Sequence, residues 1–434
     1  MNQNKNEVDM SKIKLHMTKV LCLLCVLAIG INAQATELDT TKIHSAILKP
    51  GEIQEGILVF EDEAGDWKIW YDHRMYWDAA VYFTGEENPM SNGMQLRRGI
   101  IQFKTTMYRD WEAYIDLNAG RGSGATPRDF WLKRYVRTPN WTMEFQIGNF
   151  KETTSLERLT SSRMLTFLER SGDSIFEEGR RKGAAFTFYT RKFWTEWGVH
   201  GQEVDENRFE GGDNEAFGFN GRVVYTPIQQ ERRIVHLGVW GSIRPPDAES
   251  GDRVRLRGRP ETRITSNDDH RFLNTGRVGD VDNYTRYGFE LAGVYGPFQF
   301  QTEYKTFNLN RKNGEPDVNY WGGYVKGSYF LTGESRGYAI SEGEFANFDH
   351  PNNSWGALQI AARYSFYDLN DSAAGIMGGQ QGVLTLGLNY YVQRFIKFQF
   401  NYAFVTLDSH ADGDGDLIPN NYSYFQTRML VRLP

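Results

Sequence analysis

The sequence predicts an all-β fold: a transmembrane antiparallel β-barrel of about sixteen strands, with one long inward-folded loop that contains short helical turns. Three observations predict it. Short segments of alternating apolar and polar residues recur along the chain, as in strands with one apolar face. Aromatic residues mark the ends of these apolar faces, as they do at the two interfaces of membrane barrels. Short and long connections also alternate, as turns and loops on opposite sides of a membrane do.

The clearest strand is Trp67–Thr84, whose odd positions are nearly all apolar. Trp67 and Tyr71 lie at one end of the apolar face, and Trp77 and Phe83 lie at the other. A soluble sandwich would also alternate, but its apolar face would be rich in Val, Ile and Leu. The even positions of this segment, with two residues of the next, are assigned to the pore wall: Lys68, Asp72, Arg74, Asp78, Arg98 and Lys104.

The connection lengths give an independent check. Short connections fall near Tyr108–Asp110, Thr138–Asn140, Thr190–Lys192, Gly296–Pro297 and Gln393–Arg394. Long connections fall near Gly85–Gly93, Arg121–Thr126, Lys151–Lys182, Glu203–Glu215, Arg244–Asn283, Arg311–Asp317 and Asp408–Asn421. One connection, Gly333–Ser354, is long where a short turn is expected, and the sequence offers no physical reason for it.

Residues 1–35 have the features of a secretory signal peptide: lysines, then an apolar run, then Ala-Gln-Ala. The run is too short for a membrane-spanning helix, and Leu24 before Cys25 argues against a lipid-modified cysteine. Both cysteines lie in this peptide, so the mature chain is expected to lack disulfides and thiolate metal sites. Residues 36–66 are polar and acidic and are interpreted as a partly disordered periplasmic extension or linker. The barrel domain is expected over residues 67–434, where no apolar run reaches the length of a membrane helix.

The segment Gly148–Gly183 departs from the alternation. Large apolar residues recur at spacings of about three and four, namely Leu156, Leu159, Met164, Leu165 and Leu168, which indicates short helical turns. A connection of this length between two strands is mostly functional or disordered, and its large apolar residues argue against disorder. We therefore expect it to fold against an apolar surface at the inside or mouth of the barrel.

This segment, GNFKETTSLERLTSSRMLTFLERS, resembles the signature segment of the phosphate-selective porins (the O and P porins) of Gram-negative outer membranes. Two later stretches, Arg255–Gly276 and Leu331–Leu369, resemble the same family in the same order. The resemblance implies passive diffusion of small hydrophilic solutes, namely anions such as phosphate or polyphosphate. It also implies a homotrimer in the cell outer membrane, surrounded by lipid and lipopolysaccharide, and an inward constriction formed by the loop.

An arginine series follows in a later connection. Arg253, Arg255, Arg257 and Arg259 occupy alternate positions, with Arg263 just beyond. In an extended segment they share one face, roughly 6.5 to 7 Å apart, and guanidinium groups match phosphate oxygens. By resemblance to the family, these residues form an arginine ladder that guides phosphate inward. A solvated, salt-bridged loop near lipopolysaccharide phosphates is the alternative interpretation.

The inward loop carries charges of both signs. Seven basic residues, from Lys151 to Lys182, stand against six acidic residues, which predicts that the loop is fixed by internal ion pairs. Arg180, Arg181 and Lys182 lie where the loop rejoins the wall and are candidates to point into the eyelet, because basic rings select anions.

Other chemistry finds little support in the sequence. The seven histidines after residue 35 are scattered, and no serine lies in a nucleophile-elbow pattern, so we expect no enzyme. Asp412, Asp414 and Asp416 lack the closing glutamate of a calcium loop and are interpreted as a solvated loop tip. No cofactor, metal or nucleic-acid partner is expected, because the phosphate-loop and basic-aromatic motifs are missing.

Two rival functions stay open. A general or nutrient-specific porin of the same fold, without phosphate selectivity, fits the formal net charge of −6. A barrel that serves as a structural or adhesion protein would conduct no ions and would have a lumen closed by packed side chains.

Overall fold

An antiparallel barrel forms the body of the computed structural model, which describes residues 52–54, 57–87, 89–120, 125–204, 215–247, 250–264, 270–346 and 351–433. The described strands are β1 Glu52–Gln54, β2 Ile57–Glu61, β3 Trp67–Phe83, β4 Gly93–Met107, β5 Trp111–Asn118, β6 Thr126–Arg137, β7 Trp141–Lys151, β8 Arg180–Thr190, β9 Phe193–His200, β10 Gly218–Gln230, β11 Arg233–Arg244, β12 Arg257–Gly258, β13 Leu273–Asn274, β14 Val281–Tyr295, β15 Phe298–Arg311, β16 Val318–Phe330, β17 Tyr338–Ala339, β18 Glu344–Phe345, β19 Ala357–Asp371, β20 Ile376–Gln393, β21 Ile396–Leu407 and β22 Tyr422–Leu433.

The barrel consists of sixteen of the described strands: β3–β11, β14–β16 and β19–β22. Each pairs antiparallel with its neighbours, and β22 pairs with β3 from Ser423↔Phe83 to Leu433↔His73. Closure satisfies the backbone groups that an open sheet edge would expose to lipid. The predicted fold class and strand number are confirmed.

Side-chain burial follows the predicted alternation along β3. Tyr76 is 0% exposed and faces inward, whereas Trp77 is 41% exposed and Phe83 is 53% exposed on the outer surface. Leu237, Val239 and other apolar residues form the same outer surface elsewhere. The inner wall of the barrel is therefore polar and charged, and the outer wall is apolar, as a bilayer requires.

Part of the segment interpreted as a linker is folded. The strand β2 pairs with the start of β3, from Leu58↔Tyr71 to Glu61↔Lys68, and β1 pairs with β2. The run Ile57–Glu61 is too short to show a sustained period in the sequence. The predicted signal peptide, residues 1–35, lies outside the described residues. Of the described helices, none has both the length and the apolar character needed to cross a membrane.

The connection between β7 and β8 folds into the barrel and is called the constriction loop, residues 152–179. It contains the helix α1, Leu156–Leu159, and a 3-10 helix, Gly172–Phe176. Leu156, Leu168 and Phe176 are at most 1% exposed. The expected inward fold and helical turns are present, and they form because the apolar residues of the loop pack inside the wall.

Two further connections enter the lumen. Residues 245–280, which link β11 to β14, place Leu256, Phe272 and Leu273 in the largest apolar cluster beside Phe176. Residues 331–356, which link β16 to β19, enter from the side of the short turns and pack Phe345 against Leu156 of α1. The sequence offered no reason for the length of the connection Gly333–Ser354. Its length allows it to reach into the barrel and pack against the constriction loop.

Candidate functional site

A cavity of about 510 Å³ lies between the constriction loop and the inner faces of β3–β9. Nine basic and five acidic side chains line it, an excess of four positive charges in a chain of formal net charge −6. The basic residues are Arg74, Arg97, Arg98, Arg128, Lys133, Lys151, Arg158, Arg170 and Arg180. The acidic residues are Asp116, Asp129, Glu196, Glu342 and Glu344.

The acidic residues of the constriction loop are ion-paired. Glu152 contacts the guanidinium groups of Arg244 at 2.9 Å and Arg286 at 2.7 Å. Glu157 contacts the Lys326 Nζ at 2.9 Å and Arg363 at 3.6 Å. The other four carboxylates form six pairs: Glu169 with Arg97 and Arg428, Asp173 and Glu177 with Lys305, and Glu178 with Arg181 and Arg286.

These pairs show why the loop leaves an opening on one side. Nearly all the partners lie on strands β11, β14–β16, β19, β22 and β4. The loop is therefore held against this part of the wall and away from β5–β9. The predicted internal ion pairs of the loop are largely wrong: apart from Arg181 at the loop's end, which pairs with Glu178 and lies 4.0 Å from Glu152, nearly all the partners are distant wall residues. Apart from Glu169, whose partner Arg97 lines the cavity, these carboxylates are neutralised away from the cavity.

Burial and the wall cations act on the loop carboxylates in opposite directions. Burial opposes the ionisation of Glu157, but Lys326, Arg363 and Lys305 outweigh it and hold the pKa of Glu157 well below its ordinary value. The pKa of Glu169 is likewise held low, since Arg97 and Arg428 outweigh its burial. Both side chains are therefore ionised anchors at neutral pH.

Three basic side chains of the loop bind backbone carbonyls instead. Lys151 donates to the carbonyls of Arg158 and Leu159 at 3.0 and 2.9 Å. Arg170 donates to those of Glu157, Arg158 and Thr160 at 2.8, 3.2 and 2.7 Å, and Arg158 donates to the Glu178 carbonyl at 2.6 Å. Among the described residues, none of the three forms an ion pair with a carboxylate, so this face of the loop carries uncompensated positive charge.

Two β-bulges add arginines on the wall opposite. Tyr76 pairs with Arg98 and Trp77 with Leu96, so Arg97 is an extra residue in β4. A bulge interrupts the alternation of side chains, and both Arg97 and Arg98 line the cavity. A second register shift, between Ile115 and Leu117, places Arg128 and its neighbour Asp129 in the lining as well.

A family model described as "Phosphate-selective porin O and P" matches residues 69–432. The chain belongs to this family. It is an outer-membrane porin. Porin O of Pseudomonas aeruginosa is 25% identical over 362 residues, which cover 77% of this chain and 81% of that protein.

Solved structures of other porins share the fold of this porin. OmpT of Vibrio cholerae has a TM-score of 0.52 and 11% identity, over 85% of this chain and 98% of that one. OmpF of Salmonella typhi has a TM-score of 0.50 and 11% identity, over 88% of this chain and 100% of that one. These likenesses concern the fold alone.

The structure brings two of the six predicted pore-wall residues, Arg74 and Arg98, to the cavity of the porin. The others lie on the inner wall in ion pairs outside the cavity lining. Asp72 binds Arg74 and Arg432, Asp78 binds Arg428 through both oxygens at 2.7 Å, Lys68 lies 3.9 Å from Glu61, and Lys104 lies 2.7 Å from Glu112. Charged inner-wall pairs of this kind hold neighbouring strands together and add little net charge to the lumen.

Arg180 lines the cavity as expected, where its Nε lies 2.8 Å from Asp129. The expectation that Arg181 and Lys182 reach the eyelet is wrong. Arg181 is buried between Glu178 and Asp247, and Lys182 extends towards Glu215 at 3.6 Å. Both side chains are instead bound by carboxylates of the constriction loop and of neighbouring connections.

The arginine series of residues 253–263 lies in the inward-folded connection, outside the lining of the 510 Å³ cavity. Val254, Leu256 and Gly258 alternate with the arginines, and Leu256 packs into the largest apolar cluster. Arg253 and Arg255 are exposed, and Arg257 and Arg259 are partly exposed. The predicted sharing of one face is present, and the ladder role stays a prediction. Arg263 approaches the constriction loop, with its Nε 4.0 Å from Glu169.

Sequence reasoning missed several lining residues of the porin. Arg97 and Arg128 were missed because strict alternation hides a bulge. Lys133 lies at an inward position of β6, where it binds Glu144 at 2.9 Å, and its alternation was detectable. Glu342 and Glu344 come from the connection between β16 and β19. Burial, with Glu342 nearby, raises the pKa of Glu344 to about 7.

Proposed function

We propose that this porin conducts small anions across the outer membrane, with phosphate and related oxyanions as its preferred solutes. The supporting observation is that nine basic and five acidic side chains line the cavity, and that four of the basic ones, Arg98, Lys151, Arg158 and Arg170, form no ion pair with a described carboxylate. Most of these charges are arginines, which stay protonated at any pH a protein meets. Rings of basic residues are how anion pores select their ions.

The net negative charge of the whole chain favours a general porin, but the charged side chains around the cavity are mostly basic. The six carboxylates of the constriction loop are bound to cations, mostly on the distant wall, as described above. In a narrow channel the local field, rather than the net charge of the protein, determines which ions enter. This argument favours an anion channel over a general or nutrient-specific porin.

Phosphate is the favoured anion class because of the geometry of the donors. Arg98 lies on β4 and Arg128 lies on β6 in the same lining, whereas the neighbouring Arg97 is bound to Glu169. Guanidinium groups offer paired donors that match the oxygens of phosphate better than a spherical chloride ion. Family membership and the likeness to Porin O support the same class.

We also propose that the porin is a homotrimer in lipid and lipopolysaccharide. One of the similar OmpT structures of Vibrio cholerae is described as a trimer form. The apolar outer surface offers the area that such an assembly and the surrounding lipid would cover. No catalytic role is proposed.

The deciding experiment is conductance of the purified protein in a planar bilayer. In a KCl gradient, the reversal potential should have the sign of an anion-permeable channel, and added phosphate should reduce the chloride current. A cation-selective reversal potential would favour the general porin. A bilayer with correctly inserted protein and no current would favour the structural or adhesion barrel.

Replacement of Arg253, Arg255, Arg257 and Arg259 by glutamine should weaken the block by phosphate several-fold while the pore stays open. The reason is that the series lies in a connection that folds into the lumen but outside the cavity, so it would concentrate phosphate before entry. The measurement is the phosphate concentration that halves the chloride current. Arg191→Gln, at an exposed turn, is the matched control. Equal block by the variant and the wild type would dismiss the ladder.

A further inference from the structure

An aromatic row crosses the inner wall of the porin beside the arginines. Trp70 is the register partner of Lys104, Lys104 of Tyr114, and Tyr114 of Trp131. Neighbouring strands lie about 4.8 Å apart, so the four side chains form one continuous strip on β3–β6. We call Trp70, Lys104, Tyr114 and Trp131 the aromatic strip.

Two rings of the strip face the cavity. Tyr114 and Trp131 are stacked, with ring centroids 5.1 Å apart and ring planes inclined by 20°. Both are partly exposed and line the 510 Å³ cavity. On the outer wall such rings would be buried in lipid, but here they expose apolar area to a water-filled lumen. Exposed aromatic rings in a concave site are typical of ligand-binding surfaces.

The cations that touch the strip are neutralised locally. Lys133 lies 5.0 Å from the Trp131 ring centroid and is paired with Glu144. Lys104 lies 5.5 Å from the Trp70 ring centroid and is paired with Glu112. These pairs hold the rings in place on the inner wall.

Anion-binding groups lie one step along the same strands. Asp116 follows Tyr114 by two residues, and Asp129 precedes Trp131 by two residues, each a distance of roughly 7 Å along the inner face. Asp116 lies 3.6 Å from Arg128, and Asp129 lies 2.7 Å from Arg180. The guanidinium groups of Arg128 and Arg180, each in an ion pair with one of these aspartates, therefore lie close to the stacked rings in the same cavity lining.

The volume of the cavity also favours an organic anion. Inorganic phosphate is far smaller than a cavity of 510 Å³, whereas sites of roughly 300–1,000 Å³ bind organic molecules. We propose that this side of the cavity binds organic anions in which a phosphate is attached to a ring, such as a phosphorylated monosaccharide. The ring stacks on Tyr114 and Trp131, and the phosphate binds Arg128 and Arg180. This inference rests on the proposed anion conductance and names its solute class.

The test compares four solutes as blockers of the KCl current through the full-length porin in a planar bilayer. Glucose 6-phosphate has the ring and the charge, glycerol 3-phosphate has the charge alone, glucose has the ring alone, and inorganic phosphate is the small anion. Glucose 6-phosphate should block at a concentration roughly five- to tenfold below that of glycerol 3-phosphate, as expected from one stacking contact. Glucose should not block in the same range.

Substitutions test whether the aromatic strip causes the difference in block between glucose 6-phosphate and glycerol 3-phosphate. Trp131→Leu should raise the half-blocking concentration of glucose 6-phosphate to that of glycerol 3-phosphate. Trp131→Tyr, which keeps a ring, should retain most of the difference, and Tyr114→Leu serves if Trp131→Leu does not insert. Trp321→Leu is the control, because Trp321 is 43% exposed on the outer wall and packs near Tyr304.

The outcomes separate this inference from the proposed function. Equal block by glucose 6-phosphate and glycerol 3-phosphate in the wild type overturns the aromatic strip, even if the pore is anion-selective. A difference that survives both leucine substitutions also overturns it. A cation-selective reversal potential instead overturns the proposed function on which the inference rests.

Discussion

Replacing Arg158 and Arg170 together with glutamine is expected to lower the anion-over-cation permeability ratio roughly five- to tenfold in 0.1 M salt. A unit charge about 7 Å away contributes about 0.6 kcal/mol in water, or about one kT. A change of one kT in the lumen potential favours cations and disfavours anions at once, which changes the ratio about sevenfold. Salt screening reduces the combined effect of two charges to that order.

The measurement is the reversal potential across a KCl gradient. Arg158 and Arg170 also donate to backbone carbonyls, so glutamine removes hydrogen bonds as well as charge. The double variant Arg158→Lys with Arg170→Lys keeps the charge and should keep the selectivity. If both double variants shift the reversal potential equally, the selectivity depends on the shape of the loop. If neither shifts it, these two residues are not the selecting charges.

The wall strands were predictable because burial in a closed barrel obeys one local rule. Lipid outside and water inside force alternation in each strand, and Trp77 beside Asp78 shows both environments in two residues. The same rule fails where the strand itself is irregular. Arg97 and Arg98 both reach the lumen because of a bulge, and an Arg-Arg pair alone does not reveal where a register shift occurs.

The charge of the lumen was not predictable for a different reason. The sequence shows seven basic and six acidic residues in the loop region, which suggests neutrality. The charges of the loop do not simply cancel, because its acidic side chains bind wall cations and some of its basic side chains bind backbone carbonyls. Glu157 finds Lys326, which is 169 positions away in the chain, while Arg170 binds carbonyls of its own loop. Such long-range partners depend on how the barrel closes, and no local pattern contains that information.

Glu157→Gln is expected to release the constriction loop without unfolding the barrel. The Glu157 carboxylate binds the Lys326 Nζ at 2.9 Å and accepts from the backbone N–H and the hydroxyl of Ser171 at 3.0 and 2.9 Å. Removal of one partner of a buried ion pair leaves an uncompensated charge and costs about 3–5 kcal/mol. The sixteen paired strands keep their own hydrogen bonds. The single-channel conductance should therefore rise and become noisier, and protease should cut the loop more readily.

Glu315→Gln is the matched control, because the Glu315 side chain is 48% exposed and its pair with Arg311 is on the surface. Surface pairs contribute only about 0–1 kcal/mol, so this variant should conduct like the wild type.

The pH response gives an independent check on the Glu157 anchor. The folded pKa of Glu157 lies below its unfolded value, so its anchoring is fully present above the ordinary carboxyl range and is lost only as pH falls further. Titration of Glu157 should therefore not change the wild-type conductance between pH 8 and about pH 5. If Glu157→Gln left both conductance and protease resistance unchanged, the loop would be held by its apolar residues, with Leu156 and Phe176 as the anchors instead.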